Sequence, residues 1–183
     1  MKNVFILVVG HNASGKSTIS REIERNLKIN RISVDNVRDL LISDIKFYQD
    51  THYSYPNKKI ESANKIVYAY RKELIKELLY NKQSIVLDGG GIVRNRRKKY
   101  LSFAKKVNSK IVTVIIETRI DEKELLERLS NRDKKGKHLK WVKFYKDIRK
   151  DGYDKVDPSE ADYVFEYNQK NSKDLIKELK KII

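Results

Sequence analysis

Five short apolar runs interrupt an otherwise polar chain: Val4–Val9, Ile32–Val34, Ile85–Leu87, Ile111–Ile116 and Tyr163–Phe165. Each is rich in β-branched or aromatic residues and has the length of a buried strand. Longer segments with apolar positions at helical spacing lie between them, at Lys16–Leu27, Lys58–Tyr80, Arg94–Val107, Glu122–Arg132, Leu139–Lys150 and Lys173–Ile182. In the longest of these, Ile60, Ala63, Ile66, Val67, Tyr70, Leu74, Ile75, Leu78 and Leu79 stand at helical spacing. The only prolines, Pro56 and Pro158, fall where helices should begin. Strands alternating with helices predict an α/β fold with a parallel sheet covered on both faces. No repeat, low-complexity tract or linker divides the 183 residues, so one domain over residues 1–183 is expected.

Composition narrows the chemistry. The chain has no cysteine, which excludes disulfides, thiol chemistry and cysteine-ligated metals. It has no run of 18 apolar residues to cross a membrane, and its first residues read as strand rather than signal peptide, so the cytoplasm is the expected compartment. His11, His52 and His138 show no metal-ligand spacing. The net charge of +16 is concentrated in the second half. Arg94 to Lys110 carries eight basic residues and no acidic one, and Arg132 to Lys150 carries nine against two. Such patches suit a nucleic acid or a phosphorylated metabolite as partner, or they are lysine-rich solvated faces.

The first strand runs into Gly10-His11-Asn12-Ala13-Ser14-Gly15-Lys16-Ser17, which fits G-x-x-x-x-G-K-[ST]. A buried strand precedes it and an amphipathic helix follows, as this phosphate loop requires. Gly10 and Gly15 permit backbone angles that turn successive N–H groups toward phosphate oxygens. The helix N-terminus adds its positive end. Lys16 is expected to reach the β- and γ-phosphates, and the Ser17 hydroxyl to ligate Mg²⁺. Gly10, Asn12, Ala13, Ser14, Gly15, Lys16, Ser17 and Thr18 are the expected contacts of ATP.

Ligands of open α/β sheets bind at the carboxyl ends of the strands. Asp88 closes the run "SIVLD", a Walker-B-like carboxylate suited to Mg²⁺, and Gly89-Gly90-Gly91 follow it. Asp35 stands just past the second strand, with Arg38 one helical turn on. That pair could take a hydroxyl proton and grip a phosphate, or it could be a helix cap with a surface partner. Arg128 and Arg132 are likewise one turn apart. Tyr48, Tyr53 and Tyr55 could stack on a base or simply pack.

Taken together, the phosphate loop, "VDNVR", "IVLDGG" followed by Arg94 and Arg97, and "ELLERLSNRD" resemble the P-loop kinases. Within these the chain looks most like the polynucleotide-kinase-like group of AAA-type ATP-binding proteins, with similarity also to adenylylsulfate kinases and nucleoside monophosphate kinases. The resemblance implies a five-stranded parallel sheet flanked by helices, with a small helical lid over residues 128–150. It implies that Asp35 is the general base, that Arg38 contacts the acceptor, and that Arg128 or Arg132 stabilises charge on the transferring phosphoryl group. Ala13 stands where many relatives have glycine.

The expected activity is ATP-dependent transfer of the γ-phosphoryl group to a hydroxyl, with a polynucleotide 5′ end as first choice. Lys16, Asp35, Arg128 and Arg132 would be catalytic, and Ser17 and Asp88 would hold Mg²⁺. Arg38, Arg94 and Arg97 would bind the acceptor. A small-molecule or nucleotide kinase and a nucleic-acid-binding ATPase are the alternatives.

Overall fold

All six residues of β1 (Val4–Val9) are buried. This strand lies between β3 (Ile85–Asp88) and β4 (Val112–Thr118). β2 (Asn30–Ser33) extends the sheet beyond β3, and β5 (Tyr163–Tyr167) extends it beyond β4. The order is β2-β3-β1-β4-β5 and every pairing is parallel. The expected α/β architecture, a five-stranded parallel sheet between helices, is therefore the one observed. The computed structural model describes residues 2–46, 58–89, 91–135, 140–149 and 152–183.

Alternation along β1 divides the core in two. Phe5, Leu7 and Val9 face α3 (Lys58–Tyr80) and α4 (Arg94–Val107), where Ile75, Leu79, Tyr100, Leu101 and Ala104 meet them. Val4, Ile6 and Val8 face α1 (Lys16–Leu27) and α7 (Ser172–Ile182), against Ile19, Ile23, Leu175 and Leu179. α1 thus leaves β1 on one face and α4 leaves β3 on the other. The carboxyl ends of these neighbouring strands open a crevice, the switch point at which such sheets bind ligands.

α2 (Val34–Asp44) follows β2 and packs on α3. β2 ends at Ser33 rather than Val34 because the Ser33 hydroxyl accepts the Asn36 N–H (3.4 Å) and starts α2 there. A third cluster, built on Leu125, Leu129 and Tyr145, joins α5 (Glu122–Lys135) to the short α6 (Trp141–Phe144). The single helix expected over Leu139–Lys150 is instead α6 followed by a π-helical turn, Tyr145–Arg149. α6 begins where the Asp133 carboxylate accepts the backbone N–H groups of Trp141 (2.5 Å) and Val142 (3.2 Å). Pro158 opens a 3₁₀ turn closed by a capping box between Asp157 and Glu160. Tyr48, Tyr53, Tyr55, His52, Pro56, Gly90 and His138 lie outside the described residues. Among those described, no helix is long and apolar enough to cross a membrane.

Arg97 corrects one expectation. Rather than meeting an acceptor, it is 0% exposed in the core beneath the β3–α4 connection. Its guanidinium donates to both Glu160 carboxylate oxygens (2.7 and 2.8 Å) and to the carbonyls of Gly91, Ile92, Asp154 and Lys155 (2.8–3.2 Å). Every donor direction is spent on the protein, so Arg97 ties α4 to the segment before β5. Burial alone would raise the Glu160 carboxyl, but the Arg97 bonds outweigh it and hold the pKa below the ordinary value.

Arg97→Met should strand a buried carboxylate and those carbonyls, costing about 3–5 kcal/mol in urea unfolding. The depressed Glu160 pKa gives stability that is present above the ordinary glutamate range and lost as pH falls through the folded-state value. Glu160→Gln should therefore flatten the acid limb of a stability-versus-pH curve, and an unchanged limb would refute the pairing.

Candidate active site

The register places three strand ends in one row. Val8 pairs with Asp88, and Asp88 with Ser33. The phosphate loop begins two residues past Val8 and Asp35 stands two past Ser33, so loop, Asp88 and Asp35 share one edge of the sheet, the outer strands roughly 10 Å apart.

The loop's shape follows from its backbone. Gly10 (φ 139°) and Gly15 (φ 100°) take positive angles, and so does Ala13 (φ 65°), in the left-handed region alanine enters at a cost. At Gly10 a side chain would collide with the Thr118 hydroxyl, and with the Thr118 carbonyl at 2.8 Å. The hydroxyls of Ser14 and Thr118 lie 2.5 Å apart and also reach the carbonyls of His11 and Val9. Lys16 donates to the His11 carbonyl (2.5 Å), which folds its ammonium across the loop. Gly15 caps α1 without any side-chain bond. Among the described residues, the backbone N–H groups of Asn12, Ala13, Gly15 and Ser17 find no acceptor in the protein. Orphan donors gathered at a helix N-terminus are an anion site.

Asp88 is buried and is already engaged. Arg31 donates to its Oδ2 (2.5 Å) and to the Ser20 hydroxyl (3.0 Å). One carboxylate oxygen remains for a cation, and the Ser17 hydroxyl has no partner among the described residues. Among the described residues, no group of three or more His, Cys, Asp or Glu side chains could hold a metal unaided. The pair fits Mg²⁺ arriving with a nucleotide, because that ion usually takes one or two protein oxygens plus phosphate oxygens.

Asp35 and Arg38 are brought together as their spacing suggests. Arg38 donates to the Asp35 carboxylate (3.0 Å) and to the Asn64 side-chain oxygen on α3 (3.1 Å). Asp35 is largely exposed, in the first turn of α2. Arg128 and Arg132, one turn apart in sequence, part company. Arg128 donates to the Ala13 carbonyl of the loop (3.2 Å) and pairs with Glu124. Arg132 lies 5.6 Å over the Trp141 ring instead. Arg94 is exposed at the head of α4, 3.7 Å from Asp157 and 3.8 Å from Glu160. Thr18 is exposed in the first turn of α1.

Sequence reasoning missed a polar network behind the loop. The His11 ring packs edge-on to Tyr145 (5.3 Å) and against Tyr153 (4.6 Å). Tyr153 donates its hydroxyl to the buried Glu117 (2.5 Å), which also accepts from Val156 N–H and Arg119. Burial pushes the Glu117 carboxyl up, but these bonds prevail and lower it; burial and then Glu117 raise the Tyr153 hydroxyl. The one sequence signal was position, since Glu117 and Thr118 end β4.

A family model described as an AAA domain matches residues 5–143. The chain belongs to this AAA domain family. No match was found among curated protein sequences. Solved structures share the fold of this AAA domain chain. A Chloroflexus aurantiacus protein provisionally described as a kinase superposes with TM-score 0.77 at 13% identity, covering 99% of this chain and 96% of that one. A Sinorhizobium meliloti gluconokinase gives 0.55 at 15% identity, covering 96% and 89%. Chaetomium thermophilum Kti12, solved with ADP-AlF3, gives 0.58 at 17% identity, covering 97% of each chain. The fold is thus that of P-loop kinases.

Gly10→Ala should abolish nucleotide-dependent thermal stabilisation and cost upward of about 2 kcal/mol. Ala13→Gly should keep that stabilisation and change stability by under about 1 kcal/mol. Equal behaviour of the two variants would contradict the loop geometry.

Proposed function

We propose that the protein is an ATP-dependent phosphotransferase that moves the γ-phosphoryl group to a hydroxyl. The observation carrying this reading is the shared sheet edge. An exposed carboxylate braced by an arginine stands about two strands from a cradle of orphan N–H groups. A nucleotide-gated switch would need the cradle but not the braced carboxylate.

The roles follow from what each group can reach. The loop N–H groups and Lys16 bind the β- and γ-phosphates and hold them against the sheet edge. Arg128, anchored on the Ala13 carbonyl, is the cation best placed to meet charge building on the transferring group, while Arg132 serves the lid through Trp141. Asp35 accepts the acceptor's hydroxyl proton, and Arg38 orients that carboxylate. Ser17 and Asp88 would hold Mg²⁺, which when bound neutralises phosphate charge. Arg31 fixes the Asp88 carboxylate in direction.

The first-choice acceptor is a polynucleotide 5′-hydroxyl, supported by the basic second half of the chain and by the resemblance to polynucleotide-kinase-like proteins. Gluconokinase and shikimate kinase share the fold, so small hydroxyl acceptors belong in the same assay.

The test is γ-labelled ATP offered with 5′-hydroxyl DNA and RNA, nucleosides, nucleotides, adenylylsulfate and sugars. Label should appear on an acceptor hydroxyl. Asp35→Asn should reduce transfer by about 10²–10⁴-fold, with ATP affinity unchanged. Phosphate release stimulated by nucleic acid, with no acceptor labelled, would replace this reading with an ATPase.

A further inference from the structure

No step above uses Glu117 or the half-buried Tyr153. Glu117 is 3% exposed near the end of β4, where the ladder pairs it with Val9, the last residue before the phosphate loop. Its Oε2 accepts from Arg119 (2.9 and 3.0 Å), and its Oε1 from the Val156 N–H (3.2 Å) and the Tyr153 hydroxyl (2.5 Å). A buried carboxylate bonded on both oxygens is a fixed anchor. Burial and then Glu117 raise the Tyr153 hydroxyl, so it stays protonated and donates at neutral pH. The backbone beside that ring is held as well. Asp154 donates its N–H to the Ile92 carbonyl (3.1 Å), and Arg97 binds the carbonyls of Asp154 (2.8 Å) and Lys155 (3.2 Å). Tyr153 is therefore tied at its hydroxyl and at the chain that carries it.

His11 rests on this ring. Its imidazole lies 4.6 Å from Tyr153, and Tyr145 of the π-helical turn meets it edge-on at 5.3 Å. Ring pairs at such separations attract by about 0.5–1.5 kcal/mol beyond the area they bury. The backbone of His11 is in turn the hub of the phosphate loop. Its carbonyl accepts the Ser14 N–H (3.3 Å), the Ser14 hydroxyl (2.7 Å) and the Lys16 ammonium (2.5 Å). A residue has only two soft backbone dihedrals, so a clamped ring limits where its carbonyl points. Lysine carries its charge on a flexible four-carbon stem, and one bond to a fixed carbonyl selects where that charge stands.

We propose that Tyr153, anchored by Glu117, is a positioning residue for nucleotide binding: its ring holds His11, and the His11 carbonyl sets the Lys16 ammonium over the phosphate loop. This deepens the phosphotransferase reading and rests on it for the role of Lys16 toward the γ-phosphate. An ammonium already held across the loop loses less freedom when it passes from carbonyl to phosphate oxygen, and that preorganisation appears as affinity. The end of β4 then serves the loop twice. Thr118 meets the Ser14 hydroxyl from below, and Glu117 fixes the ring on which His11 rests.

The test reads binding without turnover. The β,γ-imido analogue of ATP is titrated with Mg²⁺ into the full chain by calorimetry, and Tyr153→Leu is measured alone and combined with Lys16→Met. Tyr153→Leu should weaken the analogue about tenfold in the wild-type background and under about twofold in the Lys16→Met background, because the ring acts through that ammonium. A ring that merely supported the fold would cost the same in both backgrounds, and equal losses would overturn the proposal. His11→Ala removes the clamped ring and keeps the carbonyl. It should show the same loss and the same dependence on Lys16, which carries the test if Tyr153→Leu does not fold. Tyr153→Phe keeps the ring on His11 and should bind within about threefold of wild type. A loss as large as that of Tyr153→Leu would move the effect from the ring to the Glu117 bond and overturn the proposal. Coupling of Tyr153 to Lys16 with no label on any hydroxyl would leave the positioning role standing and remove the phosphotransferase reading.

Discussion

The contact between Gly10 and Thr118 is the constraint on which the site depends. β1 is wholly buried between β3 and β4, so its end is fixed by two ladders at once. Where it emerges, the end of β4 presses against Gly10 and leaves no room for a Cβ. The backbone must then turn through a positive angle, and that turn exposes the N–H groups ahead of α1 instead of burying them. Ser14 and Lys16 bind the loop's own His11 carbonyl and brace the turn from inside. Ala13 bears the remaining strain and packs on the Leu125–Leu129–Tyr145 cluster, which brings Arg128 to the loop.

The arginines divide into two kinds. Arg97 and Arg31 are buried cations whose charge is met by Glu160 and Asp88, and both serve the framework: one joins α4 to the segment before β5, the other steadies the carboxylate at the end of β3. Arg71 is equally buried and is met only by aromatic rings and a phenol. Low dielectric magnifies that difference. A paired buried arginine is inert scaffold, whereas Arg71 holds its charge against rings and a phenol alone among the described residues. The net charge of +16 conceals this distinction, which resides in a few positions rather than in the sum.

The segment from α5 through the π-helical turn shows how local pattern can be overruled. The basic stretch after α5 has helical spacing, but the Asp133 carboxylate caps the backbone at Trp141 and Val142, and the chain continues as a π-helical turn that sets Tyr145 against His11. This wider turn places an aromatic ring behind the phosphate loop. Arg132, which spacing alone groups with Arg128, lies on the Trp141 ring so created.

Much of the fold was legible because strands and helices are encoded by periodicity, a local property. Lys16–Leu27, Lys58–Tyr80 and Arg94–Val107 have in the structure the bounds that their apolar spacing suggests. The phosphate loop was legible because its residues are contiguous, and the Asp35–Arg38 contact because it spans one helical turn. The partners across the sheet were not. Arg31 with Asp88, Thr118 with Gly10, Glu117 with Tyr153 and Arg97 with Glu160 are each brought together by strand order and register, and no spacing in one chain announces them. The sequence by itself determined which segments are strand or helix and where a phosphate can sit. Only the tertiary structure decided which charges are neutralised, because burial and pairing depend on neighbours distant in the chain.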